Sequence, residues 1–425
     1  MDRIRRFDKP RMKILQIATG ALLGGAGIAA YRLHKGLRAI SAESFMLVSE
    51  TRQREEHIVC PSSAFDKLAA RFAPIFDRIP ARFAKLPQDY ISPSWVPDRL
   101  LRRIDNLEPD ILNLHWVNNG YMRIETLPRF QQPVVWTLHD MWPFAGGEHY
   151  IGDSIRYKEG YSYRNRPAAE SGLDINRWIW ERKKKSWSKL NNLVIATPSK
   201  WLAKCAGESA LFGNFRIEVL PNGVDHDRFR PMDHAVVRRI LGLPEDKKLI
   251  LFGAGSATSD KRKGFHLLVD ALKKLETQIN PADYELVVFG SSSGDLPFLM
   301  KTHFLGALND EISVALVYAA ADVFVAPSTE DNLPNTVLES LSCGTPVVAF
   351  NIGGMPDMIA HRENGYLASG FDTAELADGL LWVLKDQHRQ QVLSGEARNM
   401  IVQSFTLRCS AGRYRSLYEE MLEIA

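Results

Sequence analysis

Short apolar runs bounded by turn residues alternate with helical stretches along this chain, and midway the alternation starts again. In the first half the runs cover 12–18, 111–115, 134–138, 193–197 and 217–220, with a helix expected over 28–37 after a glycine-rich turn. In the second half they cover 249–252, 285–289, 323–326 and 347–350, with helices expected over 235–241, 265–275 and 312–320. Runs without polar alternation need cover on both faces, which a parallel sheet obtains from its own crossover helices. The repetition implies two doubly wound α/β domains, Rossmann-like in build. A chain of 425 residues with 45% hydrophobic content can bury two such cores.

Pro221, Asn222, Gly223 and Pro231 punctuate the chain between the halves. The sequence therefore divides into a basic tail over 1–11, a first domain over 12–230, a second over 231–405 and a terminal helix over 406–425. Leu376, Leu380 and Val383 recur on one periodic face, and Tyr414, Leu417, Tyr418 and Met421 on another. A net charge of +3, without interleaved aromatic and basic residues, argues against nucleic acid as a partner. Cys60, Cys205, Cys343 and Cys409 lack metal-ligand spacing and read as the packed, reduced thiols of a cytoplasmic protein. The longest apolar stretch, 20–31, is too short to span a bilayer and is followed by Arg32. The first thirteen residues carry six basic and two acidic side chains without the apolar core of a signal peptide. The expectation is a soluble or peripheral protein.

The segment STEDNLPNTVLESLSCGTPVVAF, 328–350, sets Asp331 and Glu339 eight residues apart across a turn and a helix start. Asn332 reads as the cap, Pro334 as a first-turn residue and Gly344 as the stop. Were all eight residues helical they would span ~12 Å, although Asp331 is expected outside the helix. The first turn offers unpaired amides at the positive end of the helix dipole, which favours an anion between the carboxylates. A nucleoside diphosphate-sugar has that layout, with hydroxyl groups at each end and pyrophosphate at the amides near Leu333, Pro334 and Asn335. Two other readings stay open: a local cap with a turn residue, and a hydrolase pair of one acid and one nucleophile or base.

Three further motifs carry chemistry. Gly20, Gly24, Gly25 and Gly27 fill a strand-to-helix loop, where glycine lets backbone approach a phosphate or sugar. The spacing is not that of a dinucleotide fingerprint, and Glu50 is only a weak ribose candidate. His139 stands just past the carboxyl end of the 134–138 strand, with Gly146, Gly147 and His149 nearby, where open α/β sheets gather functional residues. Lys261, Arg262 and Lys263 precede a helix, and cations there oppose its dipole, so anion binding competes with a plain solvated loop.

The 328–350 segment resembles the E-x(7)-E signature of the retaining glycosyltransferases of family four, whose second acid precedes a helix ending in Gly-Thr-Pro-Val-Val. Asp331 stands for the first Glu and Asn332 for the usual Gly, which makes donor preference less transferable. Lys263-Gly264 matches the family's diphosphate lysine. The usual arginine is missing, with Ser256 near its place, so Arg262 is expected to substitute through a longer loop. Pro221 to Asp225 and Phe304-Leu305-Gly306 before Asp310 also fit the family's order. The resemblance implies the GT-B architecture, two Rossmann-like domains facing across a cleft, with the terminal helix packed back on the first. It implies that Gly24 and Gly25 face the donor, that His139 lies beside the donor sugar and positions reactants, and that Asp331 meets the sugar and Glu339 the ribose. The implied activity is transfer, with retention, from a nucleoside diphosphate-sugar to a hydroxyl of a growing, lipid-linked glycan in surface polysaccharide synthesis. Neither metal nor cofactor is expected. A sugar-nucleotide epimerase and a noncatalytic sugar-nucleotide binder are the alternatives.

Finally, Leu68, Phe72, Ile75, Phe76, Ile79 and Phe83 recur at helical spacing, flanked by Lys67, Arg71, Arg78, Arg82 and Lys85. That pattern suits an interfacial helix on anionic lipid, with kinks expected at Pro74 and Pro80. The competing reading, which the sequence favours slightly, is a broken helix whose apolar face packs on its own domain.

Overall fold

The computed structural model describes residues 12–53, 55–86, 90–253, 260–291 and 298–424. The basic tail over 1–11 and Ser256 lie outside the described residues. The chain forms two compact units. The first runs to Pro198 and adds Leu202–Leu220 and the chain from Ala411 on; the second comprises Ser199–Trp201 and Pro221–Ser410.

Among the described residues, the first unit holds a seven-stranded sheet. Its spatial order is Ile58–Val59, Glu43–Thr51, Lys13–Ala21, Ile111–Leu114, Val134–Thr137, Leu193–Thr197 and Ile217–Val219. The second unit holds a six-stranded sheet: Lys301–Phe304, Tyr284–Phe289, Lys248–Gly253, Val323–Ala326, Val347–Phe350 and Gly365–Ala368. All neighbours in both sheets pair parallel. In each sheet the earliest strand sits inside, the next two lie to one side and the later ones to the other. The order thus reverses beside that earliest strand, where an open α/β sheet leaves a crevice at its carboxyl ends.

Burial on both faces explains the unbroken apolar runs. In Lys248–Gly253, Leu249 and Leu251 enter a cluster with Val337 and Leu341, while Ile250 and Phe252 enter another with Leu268 and Leu272. Several differences from the sequence reading have clear causes. Glu43–Thr51 is a full strand of which only residues 45–48 are apolar, and Glu50 falls at its carboxyl end, paired with Gly20. The helix Gln387–Ser404 is polar apart from a narrow buried line that includes Leu393, Ala397 and Ile401. The 221–230 segment packs with the second unit: Val224 N donates to Phe405 O at 2.8 Å and Phe229 is buried in that core. In the helix Leu407–Ile424, Ala411, Tyr414, Leu417, Tyr418 and Met421 join Ile14, Ile111 and Val135 in the first unit's core.

Two buried charges stabilise the sheets. Asp322, just before Val323–Ala326, accepts from Arg238 Nη2 at 2.7 Å, Leu249 N at 2.7 Å, Lys248 Nζ at 3.2 Å and Gln390 Nε2 at 3.0 Å. Burial opposes its charge, but these donors outweigh that and hold its carboxyl below the ordinary range. This cluster lies at the amino end of the strand, away from the crevice. In the first unit Lys183, fully buried in the helix Ile175–Trp187, donates to the carbonyls of Trp142, Ala145 (3.1 Å) and Gly146 (2.6 Å). Burial pushes its pKa well down, while three acceptors match the three ammonium hydrogens. Lys183 therefore clamps the turn that follows His139. Lys183→Met leaves those carbonyls without a donor and is expected to lower stability by ~3 kcal/mol, read as a reduced midpoint in urea unfolding.

Candidate functional site

The second unit's crevice opens where Lys248–Gly253 and Val323–Ala326 lie side by side. A hollow there is lined by Gly253, Lys263, Ala326, Ser328, Pro334 and Thr336, among others. The helix Asn335–Ser342 starts at its edge, with Pro334 in the cap position at φ −65 and no side chain capping it. Asn332 is therefore not the cap that the sequence suggests. Its Oδ1 instead accepts from Ser199 Oγ at 2.6 Å, and the side chain is buried. Pro334 has no side-chain acceptor for the first-turn amides that follow it, and the amino end of the helix faces the hollow.

Lys263 ends a short turn, Lys261–Lys263, and Gly264 follows at φ +70. A Cβ on Gly264 would collide with the Pro327 carbonyl, so only glycine brings this turn against the strand end. Lys263 Nζ donates to Asp331 Oδ2 at 2.7 Å, and Ser328 Oγ reaches the same oxygen at 3.4 Å. Asp331 Oδ1 accepts from Asn332 N at 3.1 Å, and Asp331 O from Gly354 N at 3.2 Å. The loop at 331–334 is thus held from both sides before any ligand is considered. Arg262 turns back to Asp260, with Nη2 donating to Oδ2 at 2.7 Å, and is not among the residues lining the hollow. Leu333 is buried in the second unit's core. Glu339 is buried in the body of the helix, so the two carboxylates do not share one continuous helical face. Burial, reinforced by Glu339, pushes the Cys343 thiol far above its ordinary range, so Cys343 is a packed thiol.

In the first unit the helix Gly24–Ala39 begins directly after the strand Lys13–Ala21, with Gly24 at φ +64 and no side-chain cap. A Cβ on Gly27 would lie 2.6 Å from Gly20 O, so this glycine lets the helix press against the strand end. Gly24 and Gly25 form the first helical turn.

His139 is partly buried and stands at the head of a buried polar chain. Its Nε2 lies 3.0 Å from His115 Nδ1, and His115 Nε2 lies 2.7 Å from Gln16 Oε1. Gln16 Oε1 can only accept, so His115 donates from Nε2, and its Nδ1 accepts from His139 Nε2–H. His139 Nδ1 then carries the lone pair. The chain continues from Gln16 Nε2 to Tyr418 OH (3.4 Å), which also receives Asn113 Nδ2 (2.7 Å). Asn113 Oδ1 accepts from Thr137 Oγ1 at 2.9 Å, and Thr137 meets Tyr414 OH at 3.0 Å. His115 and Gln16 escaped the sequence reading as polar groups because they sit inside apolar runs, whereas Tyr414 and Tyr418 were legible only as a packing face and not by their hydroxyl partners.

A second set supports the same turn. Asp140 Oδ2 lies 2.6 Å from His149 Nδ1 and accepts from Trp116 Nε1 at 3.0 Å, while His149 Nε2 meets Ser92 Oγ at 2.8 Å. Burial opposes ionised Asp140, and His149 with the other donors outweighs it, keeping the carboxyl below its ordinary range. The serine–histidine–aspartate order resembles a hydrolase triad, but Ser92 is only 1% exposed and cannot reach a substrate.

Burial lowers His139 to about 4 despite the adjacent Asp140, and lowers His115 well below its usual value. Both are neutral at pH 7. The unfolded chain takes up these protons below about 6.5, whereas the folded His139 resists until about 4. Stability from this pair is therefore complete above pH 6.5 and is lost as pH falls toward 4. Urea midpoints across that interval should fall less steeply for His139→Gln than for the unaltered chain. For Lys263 and Asp331, a double-mutant cycle with Lys263→Met and Asp331→Asn should give a coupling of ~1–2 kcal/mol in unfolding, because each change alone strands a largely buried partner.

Residues 23–228 match the family described as Glycosyltransferase Family 4, and residues 247–386 the family described as Glycosyl transferases group 1. The chain is 35% identical over 201 residues to a D-inositol 3-phosphate glycosyltransferase of Xylanimonas cellulosilytica, covering 43% of this chain and 46% of that protein. It is 30% identical over 318 residues to one of Arthrobacter sp. (strain FB24), covering 72% and 70%. The chain spans about half the length of the first curated relatives it matches. The crystal structure of Anabaena HepE in complex with UDP superposes with a TM-score of 0.62 at 16% identity, over 96% of this chain and all of that one. At that identity the likeness concerns the fold, two Rossmann-like units of the kind from which the GT-B class is built. The chain belongs to the group 1 glycosyltransferases, glycosyltransferase family 4.

Proposed function

We propose that this chain transfers a sugar, with retention at the anomeric carbon, from a nucleoside diphosphate-sugar to an acceptor hydroxyl. What carries the reading is the second unit's hollow: a cation, Lys263, and a helix start without a side-chain cap meet at the order reversal of a parallel sheet. Lys263 and the amides near Leu333 to Asn335 stabilise the charge that builds on the diphosphate; Arg262, from the same turn, would have to leave Asp260 to contribute. Asp331 has two roles: it orients Lys263, and a carboxylate with about four acceptor positions keeps capacity for a sugar hydroxyl. Glu339 serves the ribose end. In the first unit, Gly24 and Gly25 are the groups proposed for donor approach and His139 the one proposed to position a reactant. The bond from anomeric carbon to phosphate oxygen breaks, the acceptor oxygen bonds to that carbon on the same face, and the acceptor proton passes to the departing phosphate.

Uridine is the first base to test, since UDP is the nucleotide in the HepE complex. The acceptor favoured by the sequence reading is a lipid-linked glycan in surface polysaccharide synthesis. A second reading has an observation of its own: the first curated relatives are named for D-inositol 3-phosphate, so a small phosphorylated polyol is the competing acceptor. A panel of UDP-, GDP- and ADP-sugars, offered with lipid-linked glycan extract or inositol phosphate, separates these. Lys263→Ala and Glu339→Ala should each lower kcat/KM by roughly 100-fold or more while the circular dichroism spectrum is retained. Unchanged donor binding and turnover in both variants would refute the site. Nucleotide release only when acceptor is present would count against an epimerase, and donor binding without any turnover would favour a sugar-nucleotide binder.

A further inference from the structure

The helix Ala64–Asp77 lies on the first unit in an inverted sense. Ser63 caps it, with Oγ accepting from Asp66 N at 3.0 Å, and it passes through Pro74 without breaking; Pro80 instead opens a separate short turn, Pro80–Phe83. Its inward side is small or polar. Ala70, Ala73 and Pro74 are half-buried, Gly120 packs so closely that a Cβ would lie 2.7 Å from Ala73 O, and buried Asp77 accepts from Trp95 N at 3.1 Å. The large apolar side chains point the other way: Phe65, Leu68, Ile75 and Phe76 are 51–60% exposed, Phe72 40% and Phe83 69%. Lys67, Arg71, Arg78, Arg82 and Lys85, all exposed, flank them. An ordinary surface helix would bury that apolar stripe against its own domain.

We propose that this face docks on an anionic lipid bilayer, the phenyl and aliphatic groups entering the headgroup boundary and the five basic side chains meeting lipid phosphates. Charge selects this occupant over a second copy of the chain. A two-fold interface built on this stripe would set its cations against the same cations of the partner copy. Small side chains inward and large ones outward also let the helix stay docked on its unit while the apolar stripe is engaged. The inference stands apart from the transfer reading, because lipid binding is measured without donor or acceptor.

The test is cosedimentation of the full chain with vesicles of phosphatidylglycerol and phosphatidylcholine, against phosphatidylcholine alone, at low and raised salt. Binding is expected to the anionic vesicles and to weaken with salt. One variant carries Leu68→Ser, Phe72→Ser and Ile75→Ser, the other Arg71→Glu, Arg78→Glu and Arg82→Glu. Each should lower the partition coefficient by roughly tenfold or more, with Tm unchanged because the altered side chains are already exposed. Undiminished vesicle binding by both variants would overturn the proposal. So would absence of binding by the unaltered chain, including the case where sedimentation velocity shows a dimer that the serine variant abolishes, which would assign the face to a second copy.

Discussion

A parallel sheet cannot be closed by hairpins, and that constraint organises each unit of this protein. Every return to the starting edge needs a crossover over one face, so all strands deliver their carboxyl ends to the same side. When the chain first fills one flank of its earliest strand and then the other, two neighbouring strands send their loops apart and a crevice opens between them. In the second unit that place lies between Lys248–Gly253 and Val323–Ala326, where Lys263 and the start of Asn335–Ser342 meet. In the first unit, His139 and the Gly24 turn likewise follow carboxyl ends of strands.

Buried polar groups divide between the two ends of the sheets by purpose. Asp322, at an amino end, is saturated by Arg238, Lys248, Leu249 N and Gln390, and its effect is to lock strand to helix. At the carboxyl ends the networks instead orient a few groups: Lys263 through Asp331, and His139 through His115 and Gln16. A lone buried imidazole or carboxylate would be costly, and each is tolerated because its neighbours satisfy it. Lys183 belongs with this second kind, since its three carbonyl partners fix the turn that carries Asp140 toward His149.

Strands buried on both faces were the most legible part of the chain. Leu193–Thr197, Val323–Ala326 and Val347–Phe350 stand where uninterrupted apolar runs place them, because runs this short, rich in valine and bounded by turn residues, suit a strand covered on both faces. Glu43–Thr51 and the helix Gln387–Ser404 were not legible, since few of their residues are apolar and neighbouring elements complete their burial. Near the hollow, the sequence singled out Lys263 and Asp331, which the fold pairs, and Glu339, which the fold buries in the helix body. Asn332 could not be read correctly, because its hydrogen bond goes to Ser199, 133 positions away in the chain.

By itself, the sequence determined the fold class, the repetition of the α/β pattern and the family, because hydrophobic period and motif order are properties of the chain alone. Tertiary structure decided what each polar side chain meets. Only folding pairs Lys263 with Asp331, sends Arg262 back to Asp260, gives His139 its tautomer and turns the phenylalanines of Ala64–Asp77 outward. Such outcomes depend on distances of a few ångströms between residues remote in the chain, and no local pattern encodes those distances.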